Sequence, residues 1–443
     1  MRLSWSHLGS PRADAAHGKK VEIAGWPTAA LGTTRADYFQ LTGEPGCCPG
    51  CVPGNPLAVV EVFATEPLEL TKGMLRLSGT LHVERSDNSV WRYQVRGARP
   101  TGGVTRRRLL AASPLLCLPV PAVAEVPPGA VDMHSHAGGI FNTLGSEPFH
   151  PVAEPMRQGG LAVVCLAIGA DVLVTQLDRG DGRIRPFRNP KPGELYAYSQ
   201  RAFARIHQLV REQKLTIIHD AAGLRAAHSG NPSVIVACEG ADFTEGQPDR
   251  IDEAYEKWQL RHVQLTHYRP NELGDIQTEA PEHGGLTEAG AAIVRRCNQR
   301  GIVVDVAHGT YELVKKAAAV TTKPLLLSHT ARIVGQAKPW TRLITPDHAR
   351  AIADTGGVVG IWPVNPVPGV DAYARNIFYM VDAIGIDHVG LGTDQLGLTV
   401  PSSLPSYTQL PQLAAELAKK FTPAELAKVM GGNYHRVFEA CLG

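Results

Sequence analysis

The sequence lacks both an uninterrupted apolar run long enough to cross a membrane and any block of like charge. Its longest apolar stretch, residues 109–124, is broken by prolines and a serine, whereas a transmembrane helix needs about 20 apolar residues. The formal net charge is only +2, which argues against an electrostatic nucleic-acid binder. Hydrophobic residues make up 44% and charged residues 19%, so we expect a globular protein with a large core, no transmembrane helix and no nucleic-acid partner.

Cysteine is sparse, with eight residues in 443. Most stand singly in apolar surroundings, where buried free thiols are expected. Cys47, Cys48 and Cys51 cluster in a turn-rich stretch, but no second pair of ligands at zinc-site spacing follows nearby. A structural loop is therefore favoured there, with a zinc or redox site as the alternative.

The length predicts two domains, or one barrel with an appendage. Residues 1–98 carry short runs of alternating apolar and polar residues, separated by turn-forming segments such as Gly43–Gly46 and Ser86–Asn88. This pattern is typical of a small all-β domain, either a barrel or a sandwich. Nothing in these residues indicates the function of that domain.

Residues 99–128 form a different kind of segment. Arg106, Arg107 and Arg108 precede an apolar stretch that ends in Ala122-Val-Ala124, as in a twin-arginine export signal. We expect a signal-like linker whose exported form begins near Val104; an apolar linker packed on the following domain is the alternative. The protein would be periplasmic or exported if residues 104–124 act as a signal, and cytoplasmic otherwise.

Residues 129–443 alternate strand-like and helix-like segments. The strand candidates are continuous apolar runs, as expected for parallel strands buried on both faces. Eight strand–helix units predict an α/β fold, a (β/α)8 TIM-type barrel with its active site at the carboxyl ends of the strands. The predicted strands are 130–134, 161–168, 233–239, 262–267, 302–308, 324–329, 357–362 and 388–394.

Polar side chains stand at the ends of several predicted strands. His134 and His136 are two residues apart, so on a strand both imidazoles point the same way and suit a divalent metal. Taken alone, this pair is weak evidence. Glu239 directly follows an apolar run, where a carboxylate must be paired, bound to metal or placed at the barrel mouth, and its two oxygens could bridge two metals.

The later strands add further candidates at the same rim. His308 and His329 end successive strands, and Asp394 ends another as a candidate proton shuttle. His267 is a candidate for polarising or orienting a substrate. Each of these residues has a structural alternative, but their convergence on one rim favours a metal-dependent hydrolase.

The motifs of residues 129–443 resemble, in order and spacing, the membrane dipeptidase (renal dipeptidase) family of zinc peptidases within the amidohydrolase-like barrels. The matching stretches are Asp132–His136, Ala237–Gly240, Leu265–Tyr268 with Asn271, Gly285–Thr287, Gly301–His308, Leu327–Arg332, Val389–Asp394 and Gly431–Asn433.

This resemblance implies two zinc ions and a small peptide substrate. His134 and His136 would hold one zinc, Glu239 would bridge, and His308 with His329 would hold the other. His267 would contact the substrate and also act in catalysis, with Asp394 as the acid and base. Arg342 would grip the substrate carboxylate, with Arg332 as the alternative. A homodimer is left open.

The chain departs from the family pattern at His136, where an aspartate is usual. An imidazole there makes the site more positive by one charge and can change the metal preference. The loop after Glu239 also lacks the family's usual Gly-His, which leaves the substrate range open. Two alternatives therefore stand beside dipeptide hydrolysis: a hydrolase of lactones or cyclic amides on the same barrel, and a non-catalytic barrel used as a binding module.

Overall fold

The structure, a computed structural model, divides into two compact units, Met1–Val120 and Pro121–Gly443. The predicted signal-like segment 104–124 and the Cys47/Cys48/Cys51 cluster lie outside the described residues, so both interpretations stay predictions. The residues described are 3, 5, 8, 11–28, 35–43, 59–70, 74–83, 93–101, 125–141, 148–178, 182–333, 341–365 and 369–442.

The first unit contains a five-stranded closed barrel in the order β1-β2-β3-β5-β4. Closure comes from the antiparallel pairing of β1 with β4, and β3 pairs with β5 in parallel. Side chains alternate along β4, where Leu77, Leu81 and Val83 enter the core. The predicted small all-β domain is therefore confirmed, as a barrel rather than a sandwich. Its elements are α1 (Pro11–Asp14), β1 (Lys20–Thr28), β2 (Arg35–Thr42), β3 (Val59–Glu69), β4 (Leu75–Val83) and β5 (Tyr93–Pro100).

The second unit is an eight-stranded parallel barrel, which confirms the predicted (β/α)8 fold. Each of the eight predicted segments overlaps one barrel strand, and all seven residues of β7 and of β11 are buried. Going round the barrel, the strands are β6 (Val131–Ser135), β7 (Val163–Gly169), β11 (Ser233–Glu239), β12 (Leu260–Gln264), β13 (Val303–Asp305), β14 (Leu326–Thr330), β15 (Val358–Ile361) and β16 (Val389–Leu391).

Three short strands outside the barrel were not predicted. β10 (Thr216–Ile217) adds to β11 in parallel, and an antiparallel hairpin of β8 (Thr175–Asp178) and β9 (Arg183–Pro186) follows β7. No helix among the described residues is both long and apolar enough to span a membrane.

Helices surround the barrel, and threonine side chains cap several of them. Thr287 and Thr310 each accept a hydrogen bond from a backbone N–H of the first turn, which satisfies a donor that the helix leaves unpaired. The helices are α2 (Ala153–Gly159), α3 (Glu194–Glu212), α4 (Ala221–Ala226), α5 (Asp249–Trp258), α6 (Glu288–Arg300), α7 (Tyr311–Val320), α8 (Pro346–Ala353), α9 (Val370–Ile384), α10 (Leu410–Leu417), α11 (Pro423–Ala427) and α12 (Asn433–Leu442).

The last helix, α12, packs against side chains from the barrel strands. Tyr434 and Phe438 are fully buried in a cluster with Val131 and Val163. The Cys165 thiol donates to the Tyr434 hydroxyl over 3.1 Å. This packing holds the strands in register beneath the rim that carries the polar groups.

Candidate metal centre

Glu239 lies at the centre of the barrel rim, within reach of five imidazoles. The side chain is 2% exposed and stands at the end of β11. Its Oε2 is 3.0 Å from His136 Nε2 and 3.1 Å from His267 Nε2. Its Oε1 is 3.1 Å from His308 Nε2 and 3.4 Å from the Nε2 atoms of His134 and His329.

The carboxyl ends of β6 and β16 are tied together beside this carboxylate. The Asp394 amide donates to the His134 carbonyl, and the His136 amide donates to the Gln395 carbonyl, both over 2.9 Å. The His136 Nδ1 donates to the Ala167 carbonyl over 2.8 Å, because a carbonyl oxygen can only accept. The lone pair of His136 is therefore on Nε2, which faces Glu239.

Two of the site residues have unusual backbone conformations. His308 has φ 67° and Asp394 has φ 48°, in the left-handed region that residues with side chains seldom adopt. Such strain persists only where the surrounding structure enforces it, and it concentrates at functional sites. Each lies three residues beyond the end of its strand, β13 or β16, and its side chain reaches the rim.

Asp394 faces the imidazoles of β6. Its Oδ1 lies 3.5 Å from His136 Nε2 and 3.9 Å from His134 Nε2, and this buried oxygen accepts no hydrogen bond within the described part of the chain. Burial raises the pKa of Asp394 to about 6. The backbone at Gly397 packs directly against both side chains. A Cβ there would lie 2.1 Å from Asp394 Oδ1 and 2.5 Å from the Cδ2 of His136.

The electrostatics of the centre suit a cation. Burial, together with Arg342, holds the pKa of His308 well below its usual value, and burial with His134 does the same for His329. Burial would raise the pKa of Glu239, but the surrounding imidazoles hold it well below its usual value. Glu239 and the His308 and His329 rings are therefore in the forms that ligate metals. Despite burial, Glu239 raises the pKa of His134, and Asp171 raises that of His267 to about 9.

Donor atoms within 4.8 Å of one another form three groups, which together include every predicted metal ligand and both predicted catalytic residues. His134 belongs to two of these groups, and so does Glu239. Both pairs that the resemblance implied are also close, with 3.3 Å between the Nε2 atoms of His134 and His136 and 3.1 Å between those of His308 and His329. The groups are His134/His136/Asp394, His134/Glu239/His329 and Glu239/His267/His308.

Asp171 is a site residue that the sequence reasoning missed. It is fully buried beyond the end of β7, and its Oδ1 lies 2.6 Å from His267 Nδ1. The signal was available, because Asp171 follows an apolar strand much as Glu239 does. Its sequence distance of 96 residues from His267 concealed the pairing.

Arg342 lies beside the centre, and no carboxylate of the described residues pairs with it. Its guanidinium donates from Nη1 to Gln277 Oε1 over 2.7 Å and from Nη2 to the His329 carbonyl over 3.4 Å. It is 8% exposed, lies 5.4 Å from the ring centre of Trp362, and makes no ion pair with any described carboxylate. The alternative, Arg332, instead lies over Tyr379.

Comparison with known proteins assigns the chain to a family. Residues 155–441 match the model of the membrane dipeptidase family, peptidase family M19, and the chain belongs to that family. His134 and His136 precede the matched stretch.

Individual relatives are more distant. Dipeptidase aclJ of Aspergillus oryzae is 28% identical over 270 residues, 56% of this chain, and dipeptidase verJ of Clonostachys rogersoniana is 27% identical over 220 residues, 48% of this chain. The chain spans only 63% and 56% of the lengths of these two relatives.

Solved structures share the barrel. Dipeptidase AC, described as a metallopeptidase of family M19, has a TM-score of 0.60 at 23% identity, covering 72% of this chain and 100% of its own. A metallopeptidase from Rhodobacter sphaeroides, liganded with a phosphinate mimic of L-Ala-D-Ala, has the same TM-score and identity, covering 70% and 99%. At these identities the likeness concerns the fold.

Proposed function

We propose that the protein hydrolyses dipeptides with a water molecule activated by two zinc ions. The observation that carries this proposal is the convergence of five imidazoles on the Glu239 carboxylate at the active-site rim of an M19 barrel. A binding module would have no need for this arrangement, because burying a carboxylate is costly unless cations or hydrogen bonds compensate it.

The donor set fits zinc. His134 and His136 would hold one ion, Glu239 would bridge, and His308 with His329 would hold the other. Imidazole nitrogen suits zinc, whereas oxygen-rich sites suit magnesium, calcium or manganese. When bound, such ions polarise the substrate carbonyl and lower the pKa of a coordinated water.

Asp394 and His267 would carry out the proton and charge chemistry. The free Oδ1 of Asp394 accepts the proton of the attacking water and returns it to the leaving amine. The Nε2 of His267, beside Glu239, lies where it can stabilise the oxygen of the former carbonyl.

Arg342 would select the substrate. A buried guanidinium without an acidic partner favours an anion that the substrate supplies. A free C-terminal carboxylate can accept two parallel hydrogen bonds from this group. The site would therefore prefer small peptides with a free carboxyl end over proteins and over neutral lactones.

Metal analysis combined with a substrate panel tests the proposal. The zinc-loaded chain should contain about two ions and cleave a dipeptide such as alanyl-alanine far faster than its C-terminal amide or a lactone. Asp394→Asn should lose turnover while keeping the metal. Fewer than one ion per chain would favour the binding module, and a preference for lactones would favour the other hydrolase class. An Asp394→Asn variant with the wild-type rate would remove the acid–base role.

A further inference from the structure

We infer that Asp171 is a positioning residue for His267, a role that rests on the proposed function. Its carboxylate fixes the His267 ring so that Nδ1 carries a proton and Nε2 faces the reaction centre. Asp171 itself touches neither Glu239 nor any other predicted ligand within the contacts of the described chain.

Asp171 holds the segment of His267 at two points. Oδ1 lies 2.6 Å from His267 Nδ1, and Oδ2 accepts the backbone N–H of Tyr268 over 2.9 Å. Because an ionised carboxylate only accepts, the proton between Asp171 and the ring belongs to Nδ1. Because Asp171 binds both the His267 ring and the adjacent amide, the imidazole cannot flip.

The opposite nitrogen of the same ring reaches the centre. His267 Nε2 is 3.1 Å from Glu239 Oε2, and the ring packs against His308 with a centroid distance of 4.8 Å. The Ala170 amide donates to the Glu239 carbonyl over 2.9 Å, so the backbone next to Asp171 is tied to the end of β11. Asp171, His267 and Glu239 thus form a chain across the ends of three neighbouring strands.

Asp171 is poorly explained as a purely structural group. It is fully buried, and among the described residues it forms an ion pair only with His267. Asp275, which is equally buried, instead accepts three backbone N–H groups of a loop, from Glu282, His283 and Gly285. Asp275 therefore shows what a loop-holding carboxylate looks like in this protein, and it offers a matched control.

The first test is kinetic and uses the zinc-loaded full chain. Asp171→Asn should lower kcat for a dipeptide about 10- to 100-fold, the usual effect of losing a partner that orients a functional group, with KM and zinc content unchanged. In a His267→Gln background the same change should have no further effect on kcat. An equal loss in both backgrounds would overturn the inference.

The second test needs no activity, and its deciding measurement is made on the wild-type chain. ¹⁵N NMR of the imidazoles should find His267 protonated at Nδ1 in the wild-type chain, and Asp275→Asn should leave that signal in place while lowering the melting temperature. In folded Asp171→Asn, the ¹⁵N signals of His267 should no longer show a proton fixed on Nδ1. A wild-type His267 without a proton on Nδ1 refutes the positioning role. If the wild type does not cleave dipeptides, the proposed function fails while this spectroscopic result still stands.

Discussion

Gly397→Ala should disable the centre without unfolding the barrel. The added Cβ would lie 2.1 Å from Asp394 Oδ1 and 2.5 Å from His136 Cδ2, whereas ordinary contacts begin at 3.4 Å. The carboxylate oxygen must therefore move by about 1.3 Å and the imidazole by about 0.9 Å, the differences between these distances. A misplacement of about 1 Å can lower a rate about 100-fold.

The assay is kcat for a dipeptide, measured after zinc loading, with the bound metal counted on the same sample. We expect kcat to fall about 100-fold and the ion beside His136 to bind more weakly. Gly223→Ala, in the first turn of α4, is the control, because its Cβ would meet no atom closer than 3.3 Å. Full metal content and a kcat within twofold of wild type would refute the packing argument.

Three further predictions concern pH, metal preference and barrel packing. Burial and Arg342 lower the pKa of His348 from 6.5 to about 4. On acidification, His348 therefore takes up a proton at a higher pH in the unfolded chain than in the folded protein. The free energy of unfolding should therefore fall by about 3 kcal/mol between pH 6.5 and 4. His348→Leu should remove that part of the decline in urea denaturation, and an unchanged slope would contradict this. His136→Asp should shift the bound metal from zinc toward manganese in competition experiments, because a carboxylate suits harder ions; an unchanged ratio would argue against His136 as a ligand. Tyr434→Phe should cost at most about 1 kcal/mol of stability, but Tyr434→Ala about 3–5 kcal/mol. Equal losses would mean that the ring does not fill the core.

The barrel was predictable because its signal is local. A strand buried on both faces is a continuous apolar run, and the polar residue that ends the run marks the rim. Glu239, His308 and Asp394 were found in this way. Their common rim follows from parallel strands, whose carboxyl ends lie on the same side.

The remaining features depend on contacts that the sequence does not display. Asp171 meets His267, and Gln277 meets Arg342, across 96 and 65 residues of chain. Closure of the first unit depends on the pairing of β1 with β4, which turn signals between neighbouring strands do not specify. The fold brings these partners together, so the contacts are visible only in the three-dimensional structure.

The buried charges of the barrel give an independent argument for cations. Asp132, Asp171, Glu239, Asp305 and Asp394 are all buried, yet none forms an ion pair with a lysine or arginine among the described residues. Hydroxyls, backbone amides and imidazoles hydrogen-bond to them, for example the Thr393 and Tyr407 hydroxyls to Asp132 and the His267 ring to Asp171. Two divalent ions beside Glu239 would supply the missing positive charge. Metal loading should therefore stabilise the fold as well as support catalysis, because a ligand that binds only the folded state raises its stability.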